Sequence, residues 1–216
     1  MCVTRSGRWL ACYAPYRAID RSVEIDRRQI VAVSSDDQGA TWSSQSLLRF
    51  DQPQSTGAEA WVVQLADGNL LGACWHINGS TGGDYPNAYA ISTDDANSWG
   101  TTHSTGISGQ SPGLAALPDG RVLMVYNQRK HGPPGVRLAL AELRGEEFHV
   151  LADQLVWRAE APTQSQSSGN HIDWKDFAFG EPSITLLNQD ELLVTLWCIQ
   201  PSGQGIRYVR LEMLEK

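Results

Sequence analysis

The sequence predicts an all-β fold, a β-propeller made of four visible four-stranded repeats. Three observations carry this. Apolar runs of strand length, rich in Val, Leu, Trp and Tyr, are bounded by Gly, Pro, Asp and Asn, with no sustained helical period. One turn-plus-strand unit recurs along the whole chain. The third and fourth copies of that unit align without a gap, matching Pro112 to Pro182, Leu117 to Leu187, Gly135 to Gly205, Arg137 to Arg207 and Glu142 to Glu212.

The recurring unit reads "SGRWLACY" (Ser6–Tyr13), "DGNLLGAC" (Asp67–Cys74), "DGRVLMVY" (Asp119–Tyr126) and "QDELLVTL" (Gln189–Leu196). Leu10, Leu71, Leu123 and Leu193 hold one equivalent position, in steps of 61, 52 and 70 residues. Ahead of the last three stand "EAWVVQLA", "SPGLAALP" and "EPSITLLN", which also have strand character. Each repeat therefore reads as strand A, a turn, strand B, a loop, strand C, a turn and strand D. Strand C is "IVAVSS", "AYAIST", "VRLALAEL" and "IRYVRLEM" in turn. Four antiparallel strands repeated radially make a propeller blade. The expected blades are 1–50, 51–105, 106–157 and 175–216 of one domain spanning 1–216, with a long inter-blade loop at 158–180.

Between strands C and D of the first repeat stands "SSDDQGATW" (Ser34–Trp42), and "STDDANSW" (Ser92–Trp99) repeats it 57 residues later. Ser and Asp oxygens suit the capping of nearby backbone N–H groups. Gly39 suits a positive φ. Trp42 has a large face to pack between sheets and an N–H that needs a partner. A calcium loop would need further oxygen ligands at alternate positions and a distal acid, which the segment lacks.

Composition narrows the function classes. The net charge of -7, with no basic run, argues against a nucleic-acid partner. No apolar stretch approaches the ~20 residues of a membrane helix. The opening "MCVTRSGRWLACY" has no signal-peptide layout, which reads as a cytosolic chain or as a natural N-terminus lying upstream. Cys2, Cys12, Cys74 and Cys198 are scattered, without metal-ligand spacing, and are expected to be free thiols; the sequon at Asn78 reads as a loop. Neither metal nor organic cofactor is implied.

Strand alternation puts the A–B and C–D turns on one face of the propeller and the longer B–C and D–A loops on the other, where function is expected. The first B–C loop, "APYRAIDRSVEIDRR", carries Tyr16, Arg17, Asp20 and Asp26. The second, "WHINGSTGGDYPN", carries Trp75, His76, Asp84 and Tyr85, and the third, "NQRKHGPPG", Arg129 and His131. Arg137 and Arg207 open strand C, and Glu59 and Glu181 open strand A at equivalent positions. The longest loop, "RAEAPTQSQSSGNHIDWKDFAFG", carries His171, Asp173, Trp174 and Asp176. Aromatic faces that stack on sugar rings, carboxylates and amides for hydroxyls, and arginine forks for a carboxylated sugar together fit a carbohydrate ligand. Plainer roles fit the same residues: surface ion pairs for Asp20 and Asp26 among Arg17, Arg21, Arg27 and Arg28; a core position for Tyr126; bracing between blades for Arg137 and Arg207.

The Ser-x-Asp-x-(Gly/Ala)-x-(Thr/Ser)-Trp pattern resembles the Asp-box, or bacterial neuraminidase repeat, of the sialidase superfamily. "SSDDQGATW" is a full match and "STDDANSW" a degenerate one; "SPGLAALPDGRVLMVYNQR" and "GEPSITLLNQDELLVTLWC" resemble the strand A–B units of bacterial members. The resemblance implies a sialidase-like glycoside hydrolase, of the exo-α-sialidase kind, acting on a terminal sugar of a glycan, acidic sugars included. The alternatives are a non-catalytic propeller that binds glycan or protein, or a truncated relative without activity. Family propellers usually have six blades. With four visible here, the ring is expected to include upstream blades, to close small, or to be completed by a partner chain such as a second copy.

By the same resemblance, Asp20 or Asp26 supplies the acid and Glu59 or Glu181 the assisting glutamate, with Tyr85 or Tyr126 as nucleophile. Arg17, Trp75, His76, Arg129, Arg137, Asp173, Trp174 and Arg207 are the expected substrate contacts. The family's Arg-Ile-Pro element is absent. Where members often carry an arginine after such a glutamate, this chain has Cys74, Trp75 and His76 after Glu59, and Leu196, Trp197 and Cys198 after Glu181.

Overall fold

The computed structural model describes residues 1–16, 22–164 and 176–213, and within them every named element is a strand. The first sheet holds β1 (Cys2–Val3), β2 (Trp9–Tyr13), β3 (Gln29–Ser35) and β4 (Ser43–Arg49). The second holds β5 (Ser55–Gln64), β6 (Leu70–Asn78), β7 (Ala88–Ser92) and β8 (His103–Ser104). The third holds β9 (Gln110–Ala116), β10 (Val122–Gln128), β11 (Gly135–Arg144) and β12 (Glu147–Arg158). The last holds β13 (Phe179–Leu186), β14 (Glu191–Gln200) and β15 (Gly203–Glu212). In each sheet the strands lie side by side in chain order and all pairings are antiparallel. The last repeat stops after strand C, and its sheet has three strands among the described residues.

The turns follow the residues present. Between β9 and β10, Leu117 N–H bonds Arg121 O at 2.8 Å, and Gly120, at φ 90°, takes the left-handed corner. The Ser34–Trp42 corner is held by its own side chains. Asp37 Oδ1 accepts from Ser35 Oγ and from Thr41 N–H, both at 2.8 Å, while Gly39 N–H bonds Ser35 Oγ at 2.8 Å. These bonds pull the exposed Asp37 carboxyl down to about 2, the Thr41 hydroxyl contributing most. Ser92, Asp94 and Ser98 repeat the arrangement in the second sheet. One expectation fails here. Trp42 does not insert between sheets; the residue is 45% exposed, and its ring lies beside Gly39 and donates its N–H to Gly39 O at 3.0 Å. Trp99 alone packs against the core between the first two sheets.

Three apolar layers join successive sheets. Leu10, Ile30, Leu47 and Leu48 of the first meet Val62, Leu70, Cys74 and Ala90 of the second. Leu71, Ala73 and Tyr89 meet Leu114, Val122, Met124 and Tyr126 of the third. Leu123, Val125, Val136 and Leu138 meet Ile184, Leu192, Val194 and Leu196 of the last. Burying each Leu, Ile, Val or Met among them contributes on the order of 1.5–3 kcal/mol. The order is propeller-like, but among the described residues the sheets are not closed into a ring. Ile206 and Tyr208, the counterparts of Val136 and Leu138, are 70% and 72% exposed on the far face of the last sheet. The four cysteines are free thiols, with Cys74 and Cys198 buried.

Candidate functional site

The innermost strands of the second, third and last sheets each break register at the same point. β5 slips between Ala58 and Ala60, the β9 pairing between Val125 and Asn127 of its partner, and β13 between Gly180 and Ser183. At each slip one non-glycine residue sits in the left-handed region: Glu59 at φ 45°, Ser111 at φ 51° and Glu181 at φ 46°. Such backbone costs roughly 1–3 kcal/mol at each position and persists only where the surroundings hold it. The bulges re-aim side chains that would otherwise lie in the sheets. All three lie toward the end where the B–C and D–A connections emerge, which is the face expected to carry function.

A cleft of about 760 Å³ opens there. Glu59, Ala58 and Thr56 of β5, Trp75 and Ile77 of β6, Glu181 of β13 and Trp197 of β14 line it. Tyr16 and Arg27 come from the first sheet's B–C loop, and Gln164 and Phe177 from the connection into the last sheet. Its apolar floor is continuous with a small core of Ala58, Trp75 and Phe177, flanked by Ile77 and Trp197.

Each carboxylate has one anchored oxygen. Glu59 Oε2 accepts the hydroxyl of Ser111, the bulge residue of the neighbouring sheet. Glu181 Oε2 accepts Trp197 Nε1–H at 2.8 Å. Although Glu59 is open on the cleft side, the protein around it desolvates the carboxyl and raises its pKa; the charge of Glu181 adds to this, while Ser111 and Arg129 oppose it. Tyr16 is also raised, by desolvation first and then by Glu59, with Arg27 acting the other way. Tyr16, Arg27 and Glu59 therefore share one electrostatic neighbourhood.

Beneath the floor lies Arg129, 6% exposed. Its guanidinium stacks on Phe177 at 3.9 Å, donates through Nε and Nη2 to Phe179 O, and through Nη1 to Gln110 Oε1. Burial pulls it down to about 10 against the fields of Glu59, Glu181 and Asp84. Asp84, with a side chain 1% exposed, accepts Trp75 Nε1–H at 3.0 Å and Lys130 Nζ at 3.1 Å. Trp75 is thus fixed as a wall by a buried ion pair.

The structure brings some expected site residues together and separates others. Glu59, Glu181 and Trp75 line the cleft. Arg129 belongs to it from below and not as a surface contact. Asp26 is elsewhere: it pairs on the surface with Arg28 of its own loop and with Arg49 at the end of β4. Tyr85 accepts Asn78 Nδ2–H at 3.0 Å and tilts against His76, whose other face stacks on Phe50 at 4.4 Å. Both rings brace the contact between the first two sheets, and His76 opens on a separate hollow with Phe50 and Thr102. Tyr126 is a core residue whose hydroxyl donates to Asp153 at 2.6 Å. Arg137 is consumed by that same Asp153, at 3.0 Å, within the third sheet. Arg207 sits opposite Leu196, so the pleat turns it to the third-sheet side, away from the face Trp197 uses. Arg17, Asp20, Asp173 and Trp174, with His171, lie outside the described residues.

Arg27, Phe177, Trp197 and Ser111 were not singled out as site residues by the sequence, and Tyr16 was placed on the expected functional face without a role. The signal for Ser111 was present in the repeat, where it occupies the position of Glu59 and Glu181. Tyr16 and Arg27 sit in a loop whose charges gave no basis for choosing between them. Among the described residues no group of three or more His, Cys, Asp or Glu side chains is placed to hold a metal.

A second hollow of about 780 Å³ lies on the opposite face, lined by turn residues that include Asp67, Trp99, Asp119, Arg121 and Glu142. Its charges are spent locally: Arg121 Nε bonds Asp119 at 2.7 Å, and Arg144 pairs with Glu142.

No protein-family model matches the chain, and neither does any curated protein sequence. Solved structures do. A protein of unknown function from Dyadobacter fermentans is 20% identical, with a TM-score of 0.69, covering 98% of this chain and 52% of its own. The NanB sialidase of Streptococcus pneumoniae, as its K499G mutant, is 18% identical with a TM-score of 0.61, covering 98% of this chain and 30% of its own. The Trypanosoma rangeli sialidase, in complex with the inhibitor DANA, is 17% identical with a TM-score of 0.59, covering 98% and 35%. The chain thus spans about half or less of each of these proteins, and at this identity the likeness is one of fold.

Proposed function

We propose that the chain is the site-bearing part of a sialidase-like propeller that hydrolyses a terminal glycosidic bond, with the sugar bound in the cleft between Glu59 and Glu181. One observation carries this reading: two carboxylates, each fixed by a hydrogen bond and each on a strained bulge, share a cleft walled by Trp75, Phe177 and Trp197. The aromatic walls take the C–H faces of a pyranose. Glu59, whose pKa is raised, is the proton donor to the leaving oxygen. Glu181 is the second carboxylate, acting on the anomeric carbon directly or through a water. Arg27, a cation on the cleft wall, favours a sugar that carries a carboxylate. Similarity in fold to sialidases supports a glycan ligand.

A second reading has its own support. Tyr16 shares the field of Glu59 and Arg27, which suits a tyrosine nucleophile assisted by Glu59.

A panel of fluorogenic glycosides, a sialoside among them, tests both readings on the wild-type chain and on Glu59→Gln, Glu181→Gln and Tyr16→Phe. The carboxylate-pair reading expects turnover that both glutamine variants lose and Tyr16→Phe keeps. Loss in Tyr16→Phe with retention in Glu181→Gln favours the tyrosine. Sugar binding without turnover by the wild type leaves a binding propeller.

A further inference from the structure

We propose that Arg129 is a positioning residue for the glutamate pair: one buried guanidinium ties together the strained bulges that carry Ser111 and Glu181 and sets its charge against both cleft carboxylates. The proposal rests on the hydrolase reading and assigns the group that aligns its two acids.

The connectivity of the bonds is the argument. Arg129 follows directly on β10, so the third sheet supplies it. Two of its nitrogens converge on the carbonyl of Phe179, two residues before Glu181. A third holds Gln110, the residue before Ser111, whose hydroxyl anchors Glu59. The guanidinium fork therefore reaches the backbone leading to one carboxylate and the neighbour of the residue that holds the other. Gly180 permits this approach, since a Cβ there would stand 2.8 Å from Arg129 Nη2 and 2.8 Å from the Trp197 ring. Phe177 closes the stack from the other side at 3.9 Å. The hydrogen-bond acceptors of Arg129 are a carbonyl and an amide, so its charge is left to act through a water-poor floor on Glu59 and Glu181.

Among the described residues, charged and titratable groups approach this pair from several packed elements. Glu59 comes from β5 and Glu181 from β13. Asp84, with Lys130 at 3.1 Å and His131 at 3.5 Å, stands beside Gln110. Tyr16 and Arg27 approach Glu59 from the first sheet. Removing or neutralising the guanidinium leaves two carboxylates in one cleft with less positive field, which raises the proton affinity of Glu59.

The test is the titration of the Glu59 carboxyl by carbon NMR of glutamate-labelled protein, assigned with Glu59→Gln. Arg129→Met and Gln110→Glu are compared with the wild type. The second variant is nearly isosteric and quenches the guanidinium in place, so it decides the matter if Arg129→Met does not fold. Both are expected to raise the Glu59 midpoint by about one pH unit. A folded Gln110→Glu protein with an unmoved midpoint would overturn the proposal. The readout needs no turnover, so a chain that cleaves no glycoside still tests it. Where a substrate is cleaved, the alkaline limb of the rate profile rises in parallel.

Discussion

Trp197 donates its indole N–H to Glu181 Oε2 at 2.8 Å, so a single side chain both walls the cleft and aims the carboxylate next to it. Trp197→Phe keeps an aromatic wall and deletes the donor. A lost hydrogen bond to a charged group is worth about 1.5–3 kcal/mol. The variant is expected to lose roughly 10–100-fold in kcat/KM, with a smaller change in sugar affinity measured by calorimetry. An equal loss in both would mean that the tryptophan serves only as a wall.

Gly180 is required by crowding, since its neighbours are Arg129 and the Trp197 ring. Gly180→Ala should cost about 1–3 kcal/mol of stability, the usual range for overpacking. Urea unfolding measures this. The same change at Gly120, whose Cβ would meet nothing within 4 Å, tests only the left-handed backbone.

The corner acid Asp37 is held at about 2, against 3.8 for an ordinary aspartate, chiefly by the Thr41 hydroxyl and N–H. A depressed carboxyl stabilises the fold above its unfolded value, and that contribution disappears as pH falls through the folded one. Asp37→Ala should therefore melt below the wild type near neutral pH, and the gap should close between about pH 4 and pH 2. Calorimetry across that window checks the sign.

Glu59 runs the other way. Its folded pKa lies above 4.5, mainly through desolvation. The folded state binds the proton more tightly, so its contribution is complete below the unfolded value and is lost as pH rises through the folded one. Glu59→Gln, neutral at every pH, should gain stability relative to the wild type as pH climbs from about 4 to neutral. A constant difference in urea midpoints over that range would remove the desolvated carboxyl from the account.

Arg27 is expected to read the charge of the ligand. Arg27→Met should weaken binding of a carboxylated monosaccharide by roughly tenfold or more, while a neutral analogue of the same ring binds as before. Equal losses for both ligands would exclude it as a charge reader.

Much of the fold was legible because strands announce themselves locally. The D-G turns, the Leu10–Leu71–Leu123–Leu193 series and the Ser-Asp corners each depend on residues close in sequence. The glutamates were legible for the same reason, since Glu59 and Glu181 stand at one repeat position. What the repeat could not show was the left-handed backbone there, because nothing in "EAWVV" or "EPSIT" marks a bulge. Long-range partnership was equally hidden. Arg137 read as a substrate contact or a brace between blades until folding set Asp153 of its own sheet beside it, and Tyr85 read as a nucleophile candidate until His76 and Asn78 enclosed it. Trp42 shows the converse: a residue read as interior stays half open, with no sheet among the described residues covering the first one on that side.

A structure of the chain with its best-bound monosaccharide tests the central claim most directly. The account predicts the ring against Trp75 and Trp197, with the glycosidic oxygen within hydrogen-bond reach of Glu59 and the anomeric carbon facing Glu181. A sugar seated instead on the opposite face, among Asp67, Asp119 and Glu142, would contradict it.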